Sequence, residues 1–154
     1  MSTLTPSART GATALRPAVN AGIAAAVASI GAAVVIRLVP SLTSAATVVH
    51  FLTTFTLFTA AGALASRLGA AGWRAGIFAG LLDALIGHPI AFLLSSPPDA
   101  SQVVLPQGVE LTPELLATMH VWGAVFGAAV AVVIAMVAGA IGGWYARRTT
   151  RAVR

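Results

Sequence analysis

The chain has 154 residues, of which 58% are hydrophobic and only 8% are charged. Soluble domains carry about a quarter charged residues, so this composition predicts an integral membrane protein and leaves no room for a separate soluble domain. There is no cysteine, which excludes disulfides, thiolate metal sites and cysteine nucleophiles. The net charge of +5 comes from nine arginines against four acidic residues. The use of arginine without any lysine hints at a GC-rich bacterial source.

Residues 1–17 are mostly small and polar, and they are predicted to form a disordered cytoplasmic tail, with Pro17 at the start of the first helix. Arg9 and Arg16 precede an apolar run, as they would in a signal peptide. That run is longer than the roughly 7–15 residues of a signal core, so we expect an uncleaved membrane anchor.

Long apolar stretches between the charged residues predict four membrane spans, because a helix needs roughly 20 apolar residues to cross the hydrocarbon core. Strands of a transmembrane barrel would alternate polar and apolar residues, and these stretches do not. The predicted fold is therefore an all-α integral membrane protein, an antiparallel bundle of four transmembrane helices within residues 18–146. The spans fall at about 18–38, 45–66, 74–95 and 115–145, with an outer loop at 96–114 and a basic tail at 147–154.

The arginines predict the orientation of the spans. If the amino terminus is cytoplasmic, Arg37 is the only basic residue outside, where Asp99 or Glu110 can pair with it. The other arginines then face the cytoplasm: Arg9, Arg16, Arg67, Arg74, Arg147, Arg148, Arg151 and Arg154. The positive-inside rule thus predicts cytoplasmic termini, and the expected location is the plasma membrane of a bacterium. The basic tail suits the anionic lipids of the bilayer, so no nucleic-acid partner is expected.

Asp83 interrupts the third span about 15 Å along the helix from Trp73, which places it near the bilayer midplane. Ionisable side chains are costly at that depth, so Asp83 is a candidate for binding a proton or for polar packing between helices. It lies on a stripe of small residues, which lets helices approach closely within one chain, in a homo-oligomer or against another membrane protein. The predicted packing glycines are Gly72, Gly76, Gly80 and Gly87 on this span and Gly123 and Gly127 on the last span.

Three histidines lie on three different spans, all in the half of the membrane predicted to be outer. Helix rise places His50 about 25 Å and His88 about 22 Å above the inner boundary, and His120 lies at the outer interface. Neutral imidazole ligates haem iron, copper or zinc, so the three are candidate haem or metal ligands. No local ligand pair accompanies them, and hydrogen bonds between helices also explain buried histidines, so no cofactor is predicted.

His88 follows Asp83 by five residues, a spacing that points the two side chains about 140° apart on a regular α-helix. The sequence therefore predicts two separate polar features rather than one Asp-His site. Pro89 predicts a helix kink, because proline lacks a backbone donor and crowds the carbonyl of Leu85. His88, as the residue before a proline, is also expected to leave helical geometry.

The sequence contains no P-loop, dinucleotide fingerprint, HExxH motif or nucleophile elbow, which makes an enzyme the less favoured interpretation. Three functions remain open. The first is a small multi-pass membrane protein that acts as a non-enzymatic packing or accessory subunit. The second is a haem- or metal-binding membrane redox protein that uses two or three of His50, His88 and His120. The third is a proton-coupled transporter or channel subunit centred on Asp83.

Overall fold

The computed structural model describes residues 6–95 and 111–152 and is all-helical. Within these residues four helices are long and apolar enough to cross a membrane, which confirms the predicted helical class and the number of candidate spans. The elements are α1 (Pro6–Leu38), a 3₁₀ turn (Pro40–Leu42), α2 (Thr43–Arg67), α3 (Gly72–Leu82), a π turn (Asp83–Gly87), α4 (His88–Leu94) and α5 (Pro113–Ala152). The third candidate span is therefore continuous from α3 through the π turn into α4.

The ends of the helices differ in part from the predicted boundaries. The first helix begins at Pro6, so residues 6–17 are helical rather than a disordered tail, and Pro17 lies inside α1. Alanine and arginine, which recur before Pro17, have high helix propensity and favour this extension. At the other end α5 continues through Ala152, so most of the predicted basic tail is helical too. Residues 1–5, 153–154 and 96–110 of the predicted outer loop lie outside the described residues.

Two local signals fix how helices begin and end. The hydroxyl of Thr112 accepts a hydrogen bond from the backbone N–H of Leu115 at 3.2 Å, which caps the start of α5. Between α2 and α3, Gly69 adopts a φ of 84°, a left-handed conformation that other residues enter at a steric cost. This glycine lets the chain reverse within a few residues and bring α3 back beside α2.

Helix α5 packs against α2 and α3 at glycine positions. A Cβ on Gly76 would overlap the carbonyl of Ala135, and one on Gly142 would overlap the carbonyl of Thr59, so only glycine allows these approaches. Gly72 lies against Gly143 in the same way. Along these contacts the residue numbers increase on α3, from Gly72 to Gly76, while they decrease on α5, from Gly143 to Ala135. The two helices therefore run antiparallel.

The first and third spans run parallel to each other. A Cβ on Gly22 of α1 would meet Leu82, and a Cβ on Gly87 would lie 2.7 Å from the Cα of Ala26. The buried positions along these contacts are mostly alanine, and Phe58 and Asp83 are the largest fully buried side chains among the described residues. The bundle is therefore held together by close backbone approach rather than by large apolar side chains.

Large apolar and aromatic side chains cover the outside of the bundle. Trp73 and Trp144 lie near one end, where Arg74 and Arg148 stack over their rings at 5.2 Å and 4.1 Å. Trp122, 67% exposed, lies toward the other end of α5. Aromatic belts at two levels are typical of membrane interfaces.

Candidate functional site

Asp83 is 1% exposed and lies on the face of the third span that packs against α1. The hydroxyl of Ser29, itself 6% exposed, donates a hydrogen bond to Oδ1 of Asp83 at 2.8 Å. Ser29 is the only hydroxyl-bearing residue of the first predicted span, at residues 18–38. Its pairing with Asp83 places a polar contact in the middle of an apolar helix interface, where buried polar groups require partners.

The π turn brings His88 onto the same face as Asp83. The backbone N–H of His88 bonds the carbonyl of Asp83, so the turn contains one residue more than an α-turn. Nδ1 of His88 consequently lies 3.8 Å from Oδ2 of Asp83. The prediction that these side chains point apart is wrong, because it assumed regular α-helical geometry through the segment.

Pro89 is the second residue of α4, which follows the π turn directly. His88 keeps helical dihedrals, with φ −64° and ψ −44°, so the prediction that it leaves helical geometry is also wrong. In a regular α-helix the proline ring would crowd the carbonyl of Leu85, and a wider turn immediately before it gives the ring room. The local irregularity at Pro89 is thus a widening of the helix rather than a break.

Gly87 makes room for the carboxylate. A Cβ at this position would overlap Oδ1 of Asp83 and press on the backbone of Ala26. The glycine predicted as a packing residue therefore does two things, since it admits α1 closely and leaves space for the Asp83 side chain.

A cavity of about 730 Å³ extends from Ser29 and His88 to the helix ends at Arg37, Pro40 and Ser95. Ser29 and His88 both line it, so the two residues that contact Asp83 also face this space. The walls between are mostly apolar: Ala32, Ala33, Ile36, Ala91, Phe92, Met119 and Ala124. The remaining lining residues are Thr47, His50, His120 and Gly123, so all three histidines reach one cavity.

His50 and His88 form the deeper part of this histidine set. Both imidazoles line the same cavity, on different helices. The Nδ1 atoms of His50 and His88 are buried and make no hydrogen bond within the described residues. Buried polar atoms are usually paired, and no described residue hydrogen-bonds to these two. Both Nδ1 atoms can therefore still bond a ligand or water.

Arg37 and His120 lie nearer the end of the cavity. Nη1 of Arg37 donates a hydrogen bond to the carbonyl of Leu94 at 2.8 Å, at the end of α4. His120 stacks on Phe92 with a centroid distance of 4.5 Å, and its Nε2 lies 3.2 Å from the hydroxyl of Ser95. The acids predicted as partners of Arg37, Asp99 and Glu110, lie outside the described residues.

The predicted packing glycines divide into two groups. Gly72, Gly76, Gly80 and Gly87 are buried against other helices of the same chain. At Gly123 and Gly127 an added Cβ would meet nothing within 4 Å in the described part of the chain. Their role in packing stays a prediction.

Within residues 6–95 and 111–152 no three His, Cys, Asp or Glu side chains are grouped closely enough to hold a metal ion. The histidines thus share a cavity without forming a three-ligand cluster there. No protein-family model, curated protein or solved structure matches this chain. The molecule is accordingly defined by its class, an all-helical protein with four helices able to cross a membrane, and by its Asp83 site.

Proposed function

We propose that the protein is a small proton-coupled transporter or channel subunit in which Asp83 binds the proton. The observation that carries this proposal is the buried Asp83 carboxyl, bonded to Ser29 and 3.8 Å from His88, at the end of a histidine-lined cavity. Ionisable groups inside membrane bundles are costly and commonly belong to proton or ion pathways. A carboxyl used only for packing needs neither an imidazole partner nor a cavity behind it.

The pathway in this proposal runs from the cavity to Asp83 through His88. The His88 imidazole lines the cavity and its Nδ1 faces the Asp83 carboxyl, so it can accept a proton from one side and pass one to the other. Ser29 contacts Asp83 from the cavity side and can orient the carboxyl. In the proposed orientation the termini are cytoplasmic and the cavity faces outward, in agreement with the positive-inside rule.

Proton flux into sealed vesicles tests the proposal. The purified chain is reconstituted in liposomes with a trapped pH-sensitive dye, and a potassium diffusion potential drives protons inward. We expect acidification with the wild-type chain and loss of that signal with Asp83→Asn, which keeps the shape of the side chain but cannot exchange the proton. Thr56→Val is the matched control, because the Thr56 hydroxyl is exposed and bonds only the carbonyl of Leu52 in its own helix.

Equal proton fluxes for the wild-type chain and Asp83→Asn, whether both high or both at background, would overturn the proposal. The protein would then be interpreted as a packing or accessory subunit. The same purified sample distinguishes the redox interpretation, since bound haem gives a Soret absorption band. Such a band, lost on substitution of His50 or His88, would replace the proton proposal by a haem protein.

A further inference from the structure

We propose that the cavity binds a small organic anion, a carboxylate with a short apolar body, whose carboxylate meets Arg37. The proposal names a ligand class for the cavity described above. It rests on the proposed function only in assuming that the bound anion is transported. The binding step itself requires the cavity and its lining residues alone.

The charge of the lining selects an anion. Of the described residues that line the cavity, Arg37 is the only one with a formal charge, and three imidazoles share the space with it. Among the residues that the structure describes, no Asp or Glu belongs to the lining, because Asp83 lies behind Ser29 and His88. A cation would meet repulsion from Arg37, whereas an anion would gain charge-assisted hydrogen bonds.

The geometry of Arg37 favours a carboxylate. A guanidinium offers five N–H donors in a planar fork, and the carbonyl of Leu94 takes a bond from Nη1. This bond fixes one edge of the fork at the end of α4, so less side-chain freedom is lost when an anion binds. A carboxylate matches the planar fork with two parallel hydrogen bonds.

The size and walls of the cavity favour an organic body on that carboxylate. Its volume of about 730 Å³ falls within the range of small-molecule sites, roughly 300–1,000 Å³. Ile36, Phe92 and Met119 supply apolar and aromatic surface beside Arg37. An inorganic anion would leave this surface without contacts, whereas a short aliphatic or aromatic acid would cover it.

Benzoate is the probe, and benzamide is its neutral isostere. The full-length chain is purified in an uncharged detergent, and its thermal unfolding midpoint is measured against ligand concentration. Binding to the folded state alone raises the midpoint in a saturable way. We expect this rise with benzoate and none with benzamide.

Two arginine substitutions locate the binding site. Arg37→Gln should weaken benzoate binding by about tenfold or more, because the hydrogen bonds to a charged group are lost. Arg67→Gln removes the same charge at the other end of the bundle and should leave the affinity unchanged. If Arg37→Gln does not fold, Arg37→Lys keeps the charge without the fork and should still weaken binding measurably.

Equal stabilisation by benzoate and benzamide, or an equal loss with Arg67→Gln, would overturn the inference. Phosphatidylglycerol distinguishes a lipid phosphate from a free carboxylate: stabilisation by this lipid with no response to benzoate would contradict the proposed ligand class. The two proposals fail separately. Benzoate binding without Asp83-dependent flux would contradict only the proposed proton pathway. Asp83-dependent flux without benzoate binding would contradict only the proposed binding of an organic anion.

Discussion

At the scale of single residues, Asp83 is the least exposed of the buried polar side chains in the part of the chain that the structure describes. It is almost fully buried, and each of its oxygens faces a different partner, with Ser29 at Oδ1 and His88 at Oδ2. A buried charge or hydrogen-bonding group that loses its partner suffers the full desolvation cost. The stability of the bundle should therefore depend on the small Ser29 hydroxyl more than on an exposed hydroxyl.

Ser29→Ala is expected to lower the free energy of unfolding by about 1–3 kcal/mol, because it leaves a buried carboxyl oxygen without its donor. Thr56→Ala is the control, since that hydroxyl is exposed and bonds only within its helix, and it should change stability by less than about 0.5 kcal/mol. The measurement is equilibrium unfolding in mixed micelles. Equal losses for the two variants would show that the Ser29 bond contributes nothing specific to stability.

The sequence allowed Asp83 and the histidines to be singled out, because ionisable residues stand out in an apolar span. The partner of Asp83 could not be predicted in the same way. Ser29 lies 54 positions away along the chain, and its contact depends on the register between α1 and the third span. A lone hydroxyl at matching depth in another span was the available signal, and it becomes specific only once the two helices are known to be neighbours.

At the scale of the element, the π turn determines how the site is assembled. In a regular α-helix Asp83 and His88 would point apart, and the extra residue of the π turn rotates them onto one face. Residues five positions apart across a π turn therefore share a face, as residues four positions apart do in a regular α-helix. It follows that one residue can be removed from the turn while the Asp83–His88 pair is kept.

Deletion of Leu85, which is 73% exposed, combined with Pro89→Ala so that no proline ring crowds the shortened turn, should convert the π turn into a regular α-turn and keep the carboxyl and imidazole on one face. We expect an unfolding midpoint within a few degrees of the wild-type value and retained Asp83-dependent flux. Leu52, 57% exposed in the regular helix α2, is the control. Its deletion rotates His50 by about 100° relative to the rest of α2 and should destabilise the bundle strongly. Equal damage from both deletions would contradict the proposed role of the π turn.

The four apolar helices could be predicted because hydropathy and length determine them directly. The π turn could not, because one additional residue leaves the apolar character of the span unchanged. Pro89 indicated an irregularity at the right place, but a proline is compatible with a kink, a break or a widened turn. The hydrogen bond from the His88 N–H to the carbonyl of Asp83 identifies the widened turn, and the close approach of Ala26 to Gly87 beside it exists only in the packed bundle.

At the scale of the whole molecule, the cavity and the basic helix ends lie on opposite sides of the bundle. Arg37 and Ser95 lie at the cavity end, whereas Arg74 and Arg148 stack on tryptophans at the other. The proposed direction of proton entry therefore depends on how the chain inserts. The arginine distribution favours a cytoplasmic location for the end that carries Arg74 and Arg148.

The absence of cysteine from the sequence makes this orientation directly measurable, because a single introduced cysteine is the only thiol in the protein. Ser95→Cys marks the cavity end and Thr150→Cys marks the basic end, and both positions are exposed. With a membrane-impermeant maleimide on intact bacterial cells, we expect labelling of Ser95→Cys and none of Thr150→Cys until the cells are permeabilised. The opposite pattern would place the cavity on the cytoplasmic side. Asp83 would then take its proton from the cell interior, which would reverse the proposed direction of entry while leaving the residues of the pathway unchanged.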